Sequence, residues 1–261
     1  MRTNHEIDYK IIGEEIQCVE IELDPQETAI GESGSFMMMD EGITMETIFG
    51  DGSQQQEGGF FQKMLSAGKR ILVGESLFMT AFTNHAPIKQ RVSFAAPYPG
   101  KIIPLDLKQL DGKVICQKDA FLCAAKGVSI GIEFQKKLGT GLFGGEGFIM
   151  EKLEGDGMAF VHAGGIIIEK ELQVGELIKI DTGCLVAFTN SVDYDIQFIK
   201  GIKNMVFGGE GMFYATLRGP GKVWIQSIPI SRLASRILAF STKNKEEGSI
   251  LGTFGNIIDG N

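Results

Sequence analysis

The sequence predicts an all-β protein built from three consecutive β-units followed by a short C-terminal helix. Three observations predict it. The pentapeptide Phe143-Gly144-Gly145-Glu146-Gly147 returns as Phe207-Gly208-Gly209-Glu210-Gly211, 64 residues on, and a looser copy, Val73-Gly74-Glu75-Ser76, lies upstream. Apolar and polar residues alternate over short runs, which is the period of a strand with one face toward water. The chain holds 35 glycines and only 7 prolines, with no triplet order. That balance excludes collagen and suits many short strands joined by tight turns.

Residues 1–14 are polar and read as a loose lead-in. Val19, Ile21 and Leu23 alternate with Cys18, Glu20 and Glu22, so 17–23 is a strand, ended by Asp24-Pro25 because proline cannot continue a ladder. Further strands are expected at 35–40 and 43–48. The run Met37-Met38-Met39 reads as core filling at a strand, or as a flexible apolar contact surface. Residues 50–59 hold glycine, serine and three glutamines with nothing apolar to bury, an exposed insertion. Strands at 77–83 and 91–95 are joined through Asn84-His85-Ala86-Pro87, a turn composition. Ile102, Ile103 and Leu105 lead into the second unit, with strands at 114–117, 121–125 and 128–134. The third unit has strands at 177–181, 185–189 and 196–200. After Ile228-Pro229, Ser231 is placed to cap a helix carrying Leu233, Ala234, Ile237 and Leu238 on one face. The remaining residues suit a tail or an arm on a neighbouring subunit.

The correspondence between units runs beyond the glycine motif. Phe134 stands 12 residues before Glu146 and Phe198 stands 12 before Glu210, while Phe61 stands 14 before Glu75. Downstream, Gly155-Asp156-Gly157 matches Gly219-Pro220-Gly221 and Phe160 matches Trp224. The chain divides on this basis into a first repeat over 1–105 containing the insertion, a second over 106–170, a third over 171–230, and a helix and tail over 231–261.

Composition excludes several classes. The formal charge of −8 disfavours a nucleic-acid backbone as the main partner. No run of 18 or more apolar residues marks a membrane-spanning helix, and the N-terminus has no secretory pattern. Cys18, Cys116, Cys123 and Cys184 form no CxxC pair and read as free thiols in a reducing cytoplasm. The three histidines, His5, His85 and His162, are far apart in sequence, so no imidazole metal motif forms; His162 reads as a hydrogen-bonded strand residue. No GxSxG elbow occurs. Gly139-Thr140-Gly141-Leu142-Phe143-Gly144 matches the dinucleotide pattern, but no helix is expected after it. Lys136-Lys137, Lys200, Lys203 and Lys63 recur as basic spots, read as solvated surface or as a cationic rim. No catalytic residue, metal site or cofactor is assigned.

The candidate motif residues are therefore Glu75, Gly144, Gly145, Glu146, Gly147, Gly208, Gly209, Glu210 and Gly211. Paired glycines allow positive φ and close approach of backbones. The glutamates read as structural corners, or as carboxylates gathered around a common axis to bind a ligand.

The doubled FGGEG motif, the GxG turn after it and the Phe-Gln-Lys lead-in resemble a bacterial family related to the mitochondrial proteins called altered inheritance of mitochondria. That family belongs to a superfamily resembling the trp RNA-binding attenuation protein. The resemblance implies a jelly-roll-like β-sandwich repeated three times in one chain, and ring-like assembly of three chains. On this reading the protein is a non-catalytic homo-oligomer that acts through assembly and partner binding, the partner being a protein or a membrane surface. A small-molecule- or RNA-binding regulator is the alternative, and an enzyme with an unfamiliar centre a further one.

Overall fold

In β2 (Cys18–Leu23), Val19, Ile21 and Leu23 are buried while Cys18, Glu20 and Glu22 face outward, the alternation that a half-wet strand requires. The structure, a computed structural model, describes residues 4–32, 34–49, 78–96, 98–136, 148–198 and 213–237. Its strands are β1 (Asp8–Ile12), β2, β3 (Thr28–Glu32), β4 (Phe36–Met39), β5 (Ile43–Phe49), β6 (Phe78–Asn84), β7 (Gln90–Ala95) and β8 (Lys101–Asp106). Then come β9 (Lys113–Gln117), β10 (Phe121–Ala125), β11 (Ser129–Lys136), β12 (Phe148–Glu154), β13 (Met158–Ala163) and β14 (Ile167–Leu172). The last are β15 (Leu177–Asp181), β16 (Leu185–Thr189), β17 (Asp193–Phe198), β18 (Phe213–Arg218) and β19 (Gly221–Gln226). Residues 230–237 are helical. The protein is all-β apart from this helix and short 3-10 turns.

Four antiparallel sheets hold the strands. Two have six members, ordered β5-β6-β3-β10-β13-β8 and β11-β12-β9-β16-β19-β14. Adding six to each strand number in the first gives the second. The other two are ordered β1-β2-β7-β4 and β15-β18-β17. The run β2-β7-β4 follows the same path as β8-β13-β10, and β15-β18-β17 the same path as β9-β12-β11.

Register recurs with order. The ladder of β4 on β7 is irregular between Phe36 and Met38, that of β10 on β13 between Phe121 and Cys123, and that of β16 on β19 between Leu185 and Ala187. The residue after each irregularity faces Ser93, Phe160 and Trp224 in turn. The match of Phe160 with Trp224, read from spacing, is thus a match of ladder position. A bulge adds a residue to one strand and bends it, so three bulges in one place bend three strands alike.

Two apolar clusters fill the interior. The larger joins Val19, Ile21, Phe82, Phe94, Leu105 and Phe160; the smaller joins Phe148, Leu185, Phe188, Ile196 and Leu217. Phe82 meets Phe94 edge-on at 5.1 Å, a favoured aromatic geometry. Asn84 holds the predicted turn: its Nδ2 donates to the carbonyls of Leu23 and Ile88, and its Oδ1 accepts from the Ala86 N–H.

Several expectations change. Residues 1–14 do not form a loose lead-in over their described part, because β1 pairs along β2 and the chain before it is tied down. Asn4 Oδ1 accepts from the N–H groups of Asp156 and Gly157, the Asn4 N–H donates to Asp156, and His5 Nδ1 accepts from Thr28. Polar composition misled here because these hydrogen bonds, together with Ile7 in the core and Tyr9 edge-on to Phe160 at 4.9 Å, fix the segment. Residues 101–106 form a full strand rather than a passage. Ser231 lies inside the first helical turn, whose opening N–H groups, on Arg232 and Leu233, reach the Pro229 carbonyl. The run Met37-Met38-Met39 is exposed rather than core. Among the described residues no helix is long and apolar enough to cross a membrane.

Candidate functional site

The nine candidate motif residues, Glu75, Gly144, Gly145, Glu146, Gly147, Gly208, Gly209, Glu210 and Gly211, all lie outside the described residues. So do Lys63, Lys137, Lys200, Lys203, the match to the dinucleotide pattern and the insertion at 50–59. The described residues instead bring together two features, of which sequence reasoning touched only the Met37-Met38-Met39 run, as core filling or as an apolar contact surface.

The first is a pair of unpaired sheet edges. β10 lies between β13 and β3, β16 lies between β19 and β9, and every residue of both is buried. β4 holds the matching position beside β7 but among the described residues has no strand on its other side, and all its residues are exposed. Phe36 is 39%, Met37 46%, Met38 50% and Met39 36% exposed. β3 and β9, flanked on both sides, are largely buried, whereas β15, flanked only by β18, has no buried residue. β4 and β15, each beside a single strand among the described residues, are thus the exposed counterparts of the buried β10 and β9. Alternation could not reveal this, since an apolar run has the same pattern whether the strand is covered or exposed.

Other edges are guarded in the usual ways. β8 carries Pro104, and β14 carries Glu169, Lys170 and Glu171. Glu169 accepts from Lys222 Nζ at 2.8 Å and from the Trp224 indole at 3.0 Å. β4, Phe-Met-Met-Met, carries no charge and no proline.

The second feature is an ionisable cluster where β3 meets β10, with Cys116 and Glu151 buried, Glu32, Lys118 and Tyr98 half-buried and Asp119 exposed. Glu32 ends β3, Cys116 lies on β9 opposite Glu151 of β12, and Lys118 and Asp119 form the 3-10 turn between β9 and β10. Burial, then the charge of Asp119, raises Glu32 to about 8 against the pull of Lys118. Burial, then Glu32, raises Glu151 to about 8 as well. Burial raises Tyr98 to about 12, with Asp119 and Glu32 adding to it. The Cys116 thiol is pushed up by burial and by both glutamates, so these neighbours keep it a thiol rather than prepare a nucleophile. What the cluster does at neutral pH is hold protons on carboxyl groups.

His162 lies beside it, its ring meeting that of Tyr98 edge-on at 4.5 Å. The expected hydrogen bond is not made: neither ring nitrogen has a partner, and neither does Glu151 Oε2. Burial lowers the imidazole to about 4. The matching ladder position on β19 is Gln226, whose Oε1 accepts from Gly164 at 2.8 Å and whose Nε2 donates to the Gly183 carbonyl at 3.0 Å. A glutamine at 162 is thus expected to find partners that the ring cannot. His162→Gln should stabilise the protein by about 1 kcal/mol, the worth of a buried hydrogen bond, read as a rise in the urea midpoint; a fall would contradict the match.

No group of three or more His, Cys, Asp or Glu among the described residues is placed to hold a metal ion. All four cysteines are free, Cys116 and Cys123 buried, Cys18 and Cys184 half-buried.

The architecture is that of an all-β protein made of antiparallel sheets with a recurring strand order. The sequence pattern of the family described as Mitochondrial biogenesis AIM24 matches residues 9–228, and the chain belongs to that family. It is 30% identical over 222 residues to an uncharacterised protein of Streptococcus pyogenes serotype M6, covering 84% of each chain. A crystal structure of another Streptococcus pyogenes protein, a structural-genomics target, is 23% identical with a TM-score of 0.67, covering 90% of this chain and all of that one. That likeness is one of fold.

Proposed function

We propose that the chain is three tandem jelly-roll-like units, β2–β7, β8–β13 and β14–β19, and that it acts as a non-catalytic assembly protein whose copies join head to tail through β4 and β15. The observation that carries this is the pair of half-sheets. Placed side by side, β17-β18-β15 and β4-β7-β2 give the strand order of both complete six-stranded sheets.

The internal junctions supply a register. β3 meets β10 with Gly31 opposite Cys123 and Ile30 opposite Ala124; β9 meets β16 with Cys116 opposite Ala187 and Ile115 opposite Phe188. The same pairing between copies sets Ile180 opposite Met38 and Lys179 opposite Met39. The four apolar side chains of β4 are 36% to 50% exposed, so covering the rest contributes about half of the ~1.5–3 kcal/mol that full burial of such a side chain gives. A head-to-tail contact uses two different surfaces, so it closes into a ring or runs on as a filament. The family resemblance favours a ring of three. Free thiols support a reducing compartment such as the cytoplasm.

Light scattering across a dilution series tests the reading. It predicts a species three times the 28.4 kDa chain mass. A monomer at all concentrations would remove the basis for assembly.

A further inference from the structure

Only one of the three matching edge positions carries thioethers. Met37, Met38 and Met39 on β4 correspond in ladder position to Leu122, Cys123 and Ala124 on β10, and to Val186, Ala187 and Phe188 on β16. The covered strands thus carry no methionine at these positions. All three β4 methionines are between 36% and 50% exposed, so a small oxidant in solution can reach these side chains until a neighbour covers them. A sulfoxide is polar and strongly solvated, and converts a flexible apolar side chain into one that resists a dry interface. Moving an unpaired polar group of this kind out of water costs about 1–3 kcal/mol, which is comparable with what burial of the side chain contributes.

We propose that peroxide oxidation of Met37, Met38 and Met39 blocks head-to-tail joining, making the β4 edge a redox-controlled docking surface for a second copy of this chain. This rests on the assembly reading above. The sulfur lone pair attacks one oxygen of hydrogen peroxide, the S–O bond forms as the O–O bond breaks, and the sulfur-bound hydroxyl gives up its proton, through solvent, to the departing hydroxide, which leaves as water. Sulfur loses two electrons and the peroxide gains them. The free chain is the target, because a joined copy covers the strand. Reduction by methionine sulfoxide reductases restores the thioether and with it the edge.

The test treats full-length protein with dilute hydrogen peroxide below the concentration at which it assembles. Peptide mass mapping counts added oxygens and light scattering follows assembly on concentration. The proposal expects added oxygen on the 37–39 peptide and at least a tenfold rise in the dissociation constant, reversed by the reductases. The variant Met37→Leu/Met38→Leu/Met39→Leu should assemble after the same treatment, although Met45, 47% exposed on β5, still gains oxygen; Met38→Leu alone should be partly protected. Unchanged assembly of wild-type protein oxidised at all three positions overturns the proposal and leaves the head-to-tail reading standing. So does loss of assembly in the peroxide-treated triple variant. A wild-type protein that never assembles, oxidised or not, overturns both.

Discussion

Met38→Asp is expected to leave a folded chain that no longer assembles. The residue is half exposed on a strand whose outer side has no neighbour, so a carboxylate there keeps its water in the single chain. Across the proposed junction it faces Ile180, and joining strips that water without offering a cation. Burying an unpaired charge costs several kcal/mol even after relaxation, enough to raise the dissociation constant at least a hundredfold. Sedimentation at micromolar concentration should show the chain mass alone, with an unchanged far-ultraviolet spectrum. Ile180→Asp should behave alike, because either half of a heterologous contact suffices to break it. Assembly by both variants would mean that copies join elsewhere or not at all.

Stability is expected to fall as pH rises from about 5 to 9. Glu32 and Glu151 keep their protons up to about 8 in the folded state, while the unfolded chain releases them near the ordinary carboxyl value. Between those values the unfolded state binds fewer protons, so each step upward in pH favours unfolding. His162 works the other way at lower pH. Its folded value near 4 lies below the ordinary one, so its contribution is present above the unfolded value and is lost as pH falls toward 4.

The groups bearing on Glu151 are Glu32 from β3, Lys118 and Asp119 from the turn before β10, and Cys116 from β9. Glu151→Gln preserves the shape and stays neutral. It should match wild type near pH 5 and exceed it at pH 9 by on the order of 4–5 kcal/mol, read from urea midpoints. Its acid limb, set by His162 and His5 and by the ion-paired Glu22, Glu154 and Glu169, should not move. Parallel profiles for the two proteins would show that Glu151 does not hold its proton.

Periodicity made the strand content legible, because β2, β7, β10, β15 and β16 present their alternating or continuous apolar runs directly. Spacing between glycine turns made part of the recurring order legible: Gly155 and Gly219 both donate their N–H to the matching turns at Gly112 and Glu176. β3, Thr-Ala-Ile-Gly-Glu, was not expected, since two small residues and a glycine weaken its pattern; pairing on both sides defines it. The ionisable cluster was hidden for another reason. Glu32, Cys116, Asp119 and Glu151 are spread over 120 residues, and only the β3–β10 junction brings them near one another. The methionine run was open to two readings, core or apolar contact surface, because sequence records apolarity and not exposure; the structure leaves all three side chains exposed.

A designed disulfide tests the head-to-tail junction most directly. Facing residues of an antiparallel ladder have Cα atoms about 4.5–5.5 Å apart, within the range a disulfide spans. Met38→Cys with Ile180→Cys, in a chain whose half-buried Cys18 and Cys184 are replaced by serine, should cross-link between copies on mild oxidation. Non-reducing electrophoresis should show dimers, then a covalent trimer that grows no further, while Met38→Cys with Val174→Cys gives far less. Chains that stay uncrosslinked at concentrations where light scattering reports a trimer would contradict the β4–β15 junction.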